Sequence, residues 1–167
     1  MASSQRDRFT RLVRDLSPAV GDYLRRRMYP LTPSDVDDLV EETFLVVWRR
    51  LDDVPLDAEL PWTIGVARNI LRNARRAHGR RFNFEQSLGP VPSGPSAEDH
   101  VIADESVRAA LNQLSDDDRE LVMLHAWDGL DSHGLAVILN VTPNAAAVRL
   151  SRALARFRVA INETEVD

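Results

Sequence analysis

The sequence contains no cysteine, no lysine and no long apolar run. The absence of cysteine excludes disulfides, thiolate zinc sites and thiol catalysis. No apolar stretch approaches the roughly 18 residues of a membrane span, and the N-terminus lacks the apolar segment of a signal peptide. We therefore expect a cytoplasmic protein with no membrane contact of its own. All 21 basic residues are arginine, which GC-rich coding alone can produce.

Familiar enzyme motifs are also missing. The sequence has no HExxH zinc motif, no glycine-rich phosphate loop and no serine elbow. Its histidines are scattered, at His78, His100, His125 and His133. We expect no catalytic residues, no metal and no cofactor, and hence a protein that is not an enzyme.

The net charge is −5, but positive and negative residues are separated along the chain. Trp62 to Phe84 holds six arginines and no acid, and Thr142 to Ile161 holds four arginines and no acid. The acids gather at 35–42, 52–59 and 116–120. This asymmetry suggests two kinds of partner.

Apolar residues recur at helical spacing, without a convincing strand pattern, so the expected fold class is all-α. A first helix is predicted at about 6–28, interrupted near Ser17-Pro18 because proline disfavours helix at the residue before it. A second helix begins after Thr32, a good N-cap, with Pro33 at its first position. A third is predicted at about 61–79.

The segment FEQSLGPVPSGPSAEDH contains three prolines and two glycines, a composition typical of a flexible linker. We therefore predict two small helical domains, at 1–82 and 105–167, joined by a linker at 83–104. Four more helices are predicted, at about 97–113, 115–127, 132–139 and 143–161.

The last two of these helices have the spacing of a helix-turn-helix. On the second of them Ala146, Leu150, Ala153 and Phe157 are predicted to pack inward. Arginines on the opposite side can reach phosphates or guanine edges. The residues alone also fit an ordinary helical hairpin with a solvated arginine face.

The segment 61–81, which contains this third helix, carries Asn69, Arg72, Asn73, Arg76 and Arg80 on one helical face. Such a face can neutralise phosphates, or it can simply be solvated. Trp62, at the start of the helix, can stack on an unpaired base or pack in the core.

The helix after Thr32 carries acids at i, i+1, i+4 and i+5, beside apolar residues. It has no EF-hand loop and no nearby histidine, which argues against a metal site or catalytic carboxylates. A solvated face and a protein-docking face are the remaining interpretations.

Together these motifs resemble a bacterial RNA polymerase sigma factor of the extracytoplasmic-function type, in group 4 of the sigma-70 type family. The resemblance is carried by DVDDLVEETFLVVWRRLDDV (35–54), PWTIGVARNILRNARRAHGRR (61–81) and LNQLSDDDRELVMLHAWDGLDSHGLAVILNVTPNAAAVRLSRALARFR (111–158). It implies a transcription initiation factor that binds core RNA polymerase and directs it to promoters. The first domain would be region 2, which docks on polymerase and recognises and melts the −10 element. The second would be region 4, whose helix-turn-helix recognises the −35 element.

The resemblance also implies partners and roles for individual residues. It implies docking on the β′ coiled coil and on the β flap of polymerase, binding of promoter DNA, and an anti-sigma protein that masks both DNA-binding faces. The implied polymerase contacts are Asp38, Glu41, Glu42, Leu45 and Arg49, with Trp48 at their edge. The implied −10 element contacts are Trp62, Arg68, Asn69, Arg72, Asn73, Arg75 and Arg76. The implied −35 element contacts are Asn144, Ala147, Val148, Arg149, Arg152 and Arg156.

The chain departs from the family pattern in the helix-turn-helix. Asn140 stands where many members have glycine, and asparagine tolerates the positive φ of such a turn. Ala147 and Val148 replace a basic residue followed by serine, which removes two polar contacts to the −35 element. We expect the helix to depend on Asn144, Arg149, Arg152, methyl contacts and DNA shape.

Two other functions fit parts of the sequence. A stand-alone helix-turn-helix regulator would bind duplex DNA unaided, but it would not need the acidic helix or Trp62 with its arginine helix. A helical interaction module without a DNA role would not need four uncompensated arginines on the last helix.

Overall fold

The computed structural model describes residues 2–86 and 105–164, and within these ranges all regular structure is helical. The predicted all-α fold class is confirmed. Seven α-helices and one 3-10 turn, Leu51–Asp53, lie in the described part of the chain. The helices are α1 (Ala2–Arg26), α2 (Pro33–Arg49), α3 (Glu59–Gln86), α4 (Glu105–Gln113), α5 (Asp116–Ala126), α6 (Ser132–Leu139) and α7 (Pro143–Thr164).

The chain divides into two compact units, one containing α1 to α3 and the other α4 to α7. Helix α3 is longer than predicted and continues to Gln86. Residues 87–104, most of the predicted linker, lie outside the described residues, as does the start of the helix predicted from about 97. The exact domain boundaries therefore stay a prediction.

Helix α1 passes through Pro18 without a break, so the interruption expected near Ser17-Pro18 is wrong. Proline inside a helix removes one hydrogen bond and typically costs about 3 kcal/mol. Pro18 lies on the exposed side, while Leu12, Val20 and Leu24 are fully buried on either side of it. Burial of this apolar face against α2 and α3 offsets the local cost.

Helix α2 begins as the sequence predicted. The Thr32 hydroxyl accepts a hydrogen bond from the Asp35 backbone N–H at 3.3 Å, and the Asp35 carboxylate accepts one from the Thr32 N–H at 2.8 Å. These bonds form a capping box, with Pro33 at the first helical position. They also hold the pKa of Asp35 below its ordinary value. The inward residues of α2 are Val36, Leu39, Thr43, Phe44 and Val47.

Two arginines of α1 hold the connection between α2 and α3. Arg8 donates to the carbonyl oxygens of Leu51 at 2.9 Å and Val54 at 2.7 Å. Arg11 binds both oxygens of the Glu59 carboxylate, at 3.0 and 2.8 Å. The hydrogen bonds and the charge of Arg11 keep the pKa of Glu59 below its ordinary value. The turn 51–58 is thus fixed at both ends by one helix face.

In the second unit, α7 packs against α4, α5 and α6. Leu124 and Leu135 are fully buried and form the centre of this core. Side-chain N-caps mark the starts of α5 and α6. The Ser115 hydroxyl accepts a hydrogen bond from the Asp118 N–H at 3.2 Å, and the Asp131 carboxylate accepts one from the Gly134 N–H at 2.9 Å. The two caps stabilise short helices that have few internal hydrogen bonds of their own.

The turn between α6 and α7 has the geometry expected of a helix-turn-helix. Asn140 adopts the left-handed conformation, with φ 53° and ψ 50°. The Val141 N–H then bonds to the Ala136 carbonyl at 3.1 Å, which closes the end of α6. Thr142 begins α7 by accepting from the Ala145 N–H at 3.2 Å. The expectation that asparagine supports this turn in place of glycine is confirmed.

Candidate polymerase- and DNA-binding surfaces

The first candidate surface is the outward side of α2, here called the acidic face: Asp38, Glu41, Glu42, Leu45 and Arg49. Their spacing of i, i+3, i+4, i+7 and i+11 places them on one side of the helix, opposite its buried residues. All five are exposed. None of the three carboxylates has an ion-pair partner within residues 2–86 or 105–164.

The acidic face carries apolar side chains that the described residues leave exposed. Leu45 is 53% exposed and Trp48, beside it, is 43% exposed. The Trp48 ring meets Phe9 of α1 edge-on, with ring centroids 5.0 Å apart. Phe9 thus packs against part of the indole, and a large part of the Trp48 side chain stays exposed. Exposed apolar groups rimmed by acids are typical of a protein-docking surface.

The second candidate surface is the outward side of α3, here called the arginine face: Asn69, Arg72, Asn73, Arg76 and Arg80. All five are exposed, and they lie opposite Ala67, Ile70 and Leu71, which are buried. The side predicted from the spacing is therefore the solvent side. No acid lies among these residues in the sequence, so the face can approach a polyanion.

Arg68 and Arg75 lie at the borders of this face and are only partly exposed. Arg75 donates through Nε to the Tyr29 carbonyl at 3.2 Å and through a terminal nitrogen to the Arg27 carbonyl. Arg27 is itself buried, with its guanidinium 4.1 Å from the centre of the Tyr23 ring. Arg75 therefore holds the chain between α1 and α2, a contact that helical spacing alone does not reveal.

Trp62, at the start of α3, is half-buried and has a partner that the sequence did not single out. The guanidinium of Arg50, the last-turn cap of α2, lies 5.3 Å from the centre of the indole. Arg50 is held in turn by Asp53, whose carboxylate lies 2.9 Å from its Nε. Arg50 and Trp62 are 12 positions apart in the sequence, and they meet because the turn 51–58 reverses the chain between α2 and α3.

The third candidate surface is on α7, here called the recognition face: Asn144, Ala147, Val148, Arg149, Arg152 and Arg156. All six are exposed. Ala146, Leu150 and Ala153 pack inward as predicted, while Phe157 is only half-buried. Arg156 differs from the other arginines, because it forms a 2.7 Å bond with the Asp118 carboxylate at the start of α5.

Two other features are absent from the described residues. Within 2–86 and 105–164, no three histidines or acids are grouped so that they could bind a metal ion. In the same ranges, no helix combines the length and the apolar character that crossing a bilayer requires.

Comparison with known proteins gives matches over both units. The family model "Sigma-70 region 2" matches residues 12–81, and the model "Sigma-70, region 4" matches residues 104–157. The chain is 30% identical over 126 residues to the ECF RNA polymerase sigma factor EcfG of Rhodopseudomonas palustris, covering 72% of this chain and 68% of EcfG. It is 33% identical over 132 residues to the "Probable RNA polymerase sigma factor RfaY" of Xanthomonas campestris, covering 73% of this chain but only 33% of RfaY.

A solved structure also shares the fold. The sigma factor RpoE in complex with the anti-sigma factor NepR, from Bartonella quintana, matches with a TM-score of 0.62 and 22% identity. The match covers 92% of this chain and 96% of the solved one.

Proposed function

The chain belongs to the extracytoplasmic-function group of RNA polymerase sigma factors, and from this membership we propose how its surfaces share the recognition of a promoter. It is a transcription initiation factor that acts with core RNA polymerase, in the cytoplasm where polymerase works. The observation that supports the division of labour is the separation of charge. The acidic face has exposed carboxylates and leucine, whereas the arginine face and the recognition face have exposed arginines and no acid.

The acidic face docks on the β′ coiled coil of polymerase. Asp38, Glu41 and Glu42 provide negative charge for basic residues of the partner, and Leu45 provides the apolar centre. Arg49 lies at the C-terminal end of the face. Because the carboxylates have no partner inside the described chain, polymerase can pair with them without breaking an internal bond.

The arginine face holds the downstream, −10 element. Arg72, Arg76 and the two asparagines face solvent and can contact phosphates and unpaired bases. Trp62 stacks on a base released from the duplex. Arg68 contributes at the border of the face, whereas Arg75 acts on DNA indirectly, by holding the chain between α1 and α2.

The recognition face reads the upstream, −35 element with few polar side chains. Arg149, Arg152 and Asn144 make the polar contacts, and Val148 and Ala147 make methyl contacts. The remaining selectivity comes from the shape of the DNA. The bond between Arg156 and the Asp118 carboxylate sets the position from which the Arg156 guanidinium can reach DNA.

The arginine face and the recognition face each bind DNA weakly, and promoter binding becomes strong when polymerase holds both. The net charge of −5 opposes binding of DNA by the chain alone. On polymerase, where the second unit binds the β flap, each unit raises the effective concentration of the other at the promoter. An anti-sigma protein is the proposed regulator, since the Bartonella quintana protein of the same fold was solved with one.

The docking assignment is tested by charge reversal on the acidic face. Asp38→Arg should weaken capture of core polymerase by the tagged chain while leaving the helical content unchanged, because Asp38 is exposed and has no described partner. Asp7→Arg is the matched control, since Asp7 is an exposed acid of α1 outside the face. Equal capture of polymerase by both variants would reject the assignment.

A further inference from the structure

The ion pair between Asp118 and Arg156 joins the start of α5 to α7, the helix that carries the recognition face. A terminal nitrogen of the Arg156 guanidinium lies 2.7 Å from an Asp118 carboxylate oxygen. The two residues are 38 positions apart in the chain, and they meet because α5 packs against α7. The side chain of Arg156 is 60% exposed, whereas that of Asp118 is only 14% exposed. A largely buried acid thus holds one end of an exposed guanidinium.

Arg156 lies on the same side of α7 as two other arginines of the recognition face. Arg149, Arg152 and Arg156 follow one another at i, i+3 and i+7, a spacing that aligns side chains along one side of a helix. Arg149 and Arg152 are exposed and have no acidic partner in residues 2–86 or 105–164. Arg156 therefore differs from both, because an acid from another helix compensates its charge.

The start of α5 does not depend on Asp118. Ser115 is the N-cap, and Asp116 and Asp117 already place two carboxylates in the first turn, where the helix dipole favours negative charge. Both of these acids are exposed. Asp118 is the acid of this turn that pairs with a residue of α7, so its contact with Arg156 needs an explanation beyond the start of the helix.

Pairing changes what an arginine contributes to DNA binding. A free guanidinium can neutralise whichever phosphate is nearest, so its contribution does not depend on base sequence. A guanidinium held in one place reaches a phosphate only when α7 docks in one way. Arg149 and Arg152 set that docking on the correct sequence, whereas on other sequences the docking varies and the held guanidinium cannot follow it. The bond to Asp118 uses one terminal nitrogen, and the exposed remainder of the group stays available for DNA.

We propose that Asp118 is a positioning residue that raises the selectivity of the chain for its −35 element. It holds Arg156 where the specific complex can use it and withholds it from the phosphates of other DNA. Asp118 acts through Arg156 and does not contact DNA itself. This inference rests on the proposed function of the recognition face and adds to it a residue of α5, outside the helix-turn-helix.

The test uses holoenzyme reconstituted from core polymerase and the full chain. A promoter recovered with wild-type holoenzyme from genomic fragments is compared with the same fragment after its −35 element has been scrambled, and both affinities are measured over a range of salt concentrations. The main variant is Asp118→Asn, which keeps the shape of the side chain and removes its charge. Asp117→Asn is the matched control, because Asp117 is the adjacent acid and has no ion-pair partner in the described ranges 2–86 and 105–164. Arg156→Ala and the double variant Asp118→Asn/Arg156→Ala show whether the effect passes through Arg156.

Asp118→Asn should bind the scrambled fragment about threefold more tightly, the strength of an exposed ion pair. The salt dependence on that fragment should steepen by about one phosphate contact. Binding of the intact promoter should change by less than about twofold, so the preference for the intact promoter falls. Asp117→Asn should keep the wild-type preference, and Asp118→Asn should not alter the preference when residue 156 is alanine. Exposed pairs add little stability, so all variants should retain the helical content of the wild type.

Three results would overturn the inference: a preference that Asp118→Asn leaves unchanged, an equal fall in Asp117→Asn, or a fall that persists in the Arg156→Ala background. If wild-type holoenzyme does not distinguish the intact promoter from the scrambled one, the proposed role of the recognition face is itself wrong. That failure is distinct, because it is measured before any variant is compared.

Discussion

Replacing Arg75 with alanine should destabilise the first unit instead of removing only a DNA contact. Arg75 donates to the carbonyl oxygens of Tyr29 and Arg27, 46 and 48 residues away in the chain. These bonds join the middle of α3 to the segment that leads into α2. Without them, two carbonyls lose a charged donor and the segment loses its tie to α3.

The magnitude follows from the kind of bond. A hydrogen bond to a charged group contributes about 1.5–3 kcal/mol when it is well buried. Both bonds of Arg75 are partly open to water, so we expect a total loss of about 2 kcal/mol. For a domain of 60–100 residues, this corresponds to a fall in Tm of about 8–16 °C.

The control for this variant is the adjacent arginine. Arg76 is exposed and has no described partner, so Arg76→Ala should leave stability unchanged and weaken DNA binding by holoenzyme. Hydrogen exchange measured by mass spectrometry on the full chain separates the stability of α1–α3 from that of α4–α7. If Arg75→Ala is as stable as Arg76→Ala and loses DNA binding to the same extent, Arg75 does not have this structural role.

Three further predictions concern other parts of the chain. Arg149→Ala should cost about 1–3 kcal/mol in binding of holoenzyme to its own −35 element, if Arg149 makes a bidentate base contact; an equal loss on every upstream sequence would reassign it to a phosphate. Asn140→Ala should lower the stability of the second unit by about 1 kcal/mol in urea unfolding, because alanine is strained at positive φ, whereas Asn140→Gly should not; equal stability of the two variants would contradict this. Because Arg11 lowers the pKa of Glu59, the stability that this carboxylate provides is present above the pKa of glutamate in the unfolded chain and is lost as the pH falls through its lower folded value. Glu59→Gln should therefore reduce the fall in Tm between about pH 5 and pH 3, and a pH profile identical to wild type would contradict the assignment.

Features set by neighbouring residues could be predicted from the sequence. Thr32 and Pro33 mark the start of α2, and Asn140 with Thr142 marks the turn before α7. Each depends on contacts within about four residues, which spacing and residue type define. The solvent sides of α2, α3 and α7 were predictable for the same reason, because the buried stripe repeats at helical spacing.

Features that depend on distant partners could not be predicted in this way. Spacing placed Arg75 and Arg156 near DNA-facing surfaces, but it did not show that each binds an oxygen of another element. The position of Arg50 on Trp62 depends on how the turn 51–58 folds. The break expected at Pro18 failed for a related reason, because burial of α1 outweighs a local preference.

A direct test of the proposed function is whether promoter recognition requires polymerase. The purified chain is compared with and without core polymerase on a library of genomic fragments, by mobility shift for binding and by run-off transcription for initiation. We predict little specific shift of duplex DNA by the chain alone, and transcription from a selected set of promoters when core polymerase is present. Tight, sequence-specific binding of duplex DNA without polymerase, and no transcription with it, would contradict the proposed function and indicate a stand-alone regulator.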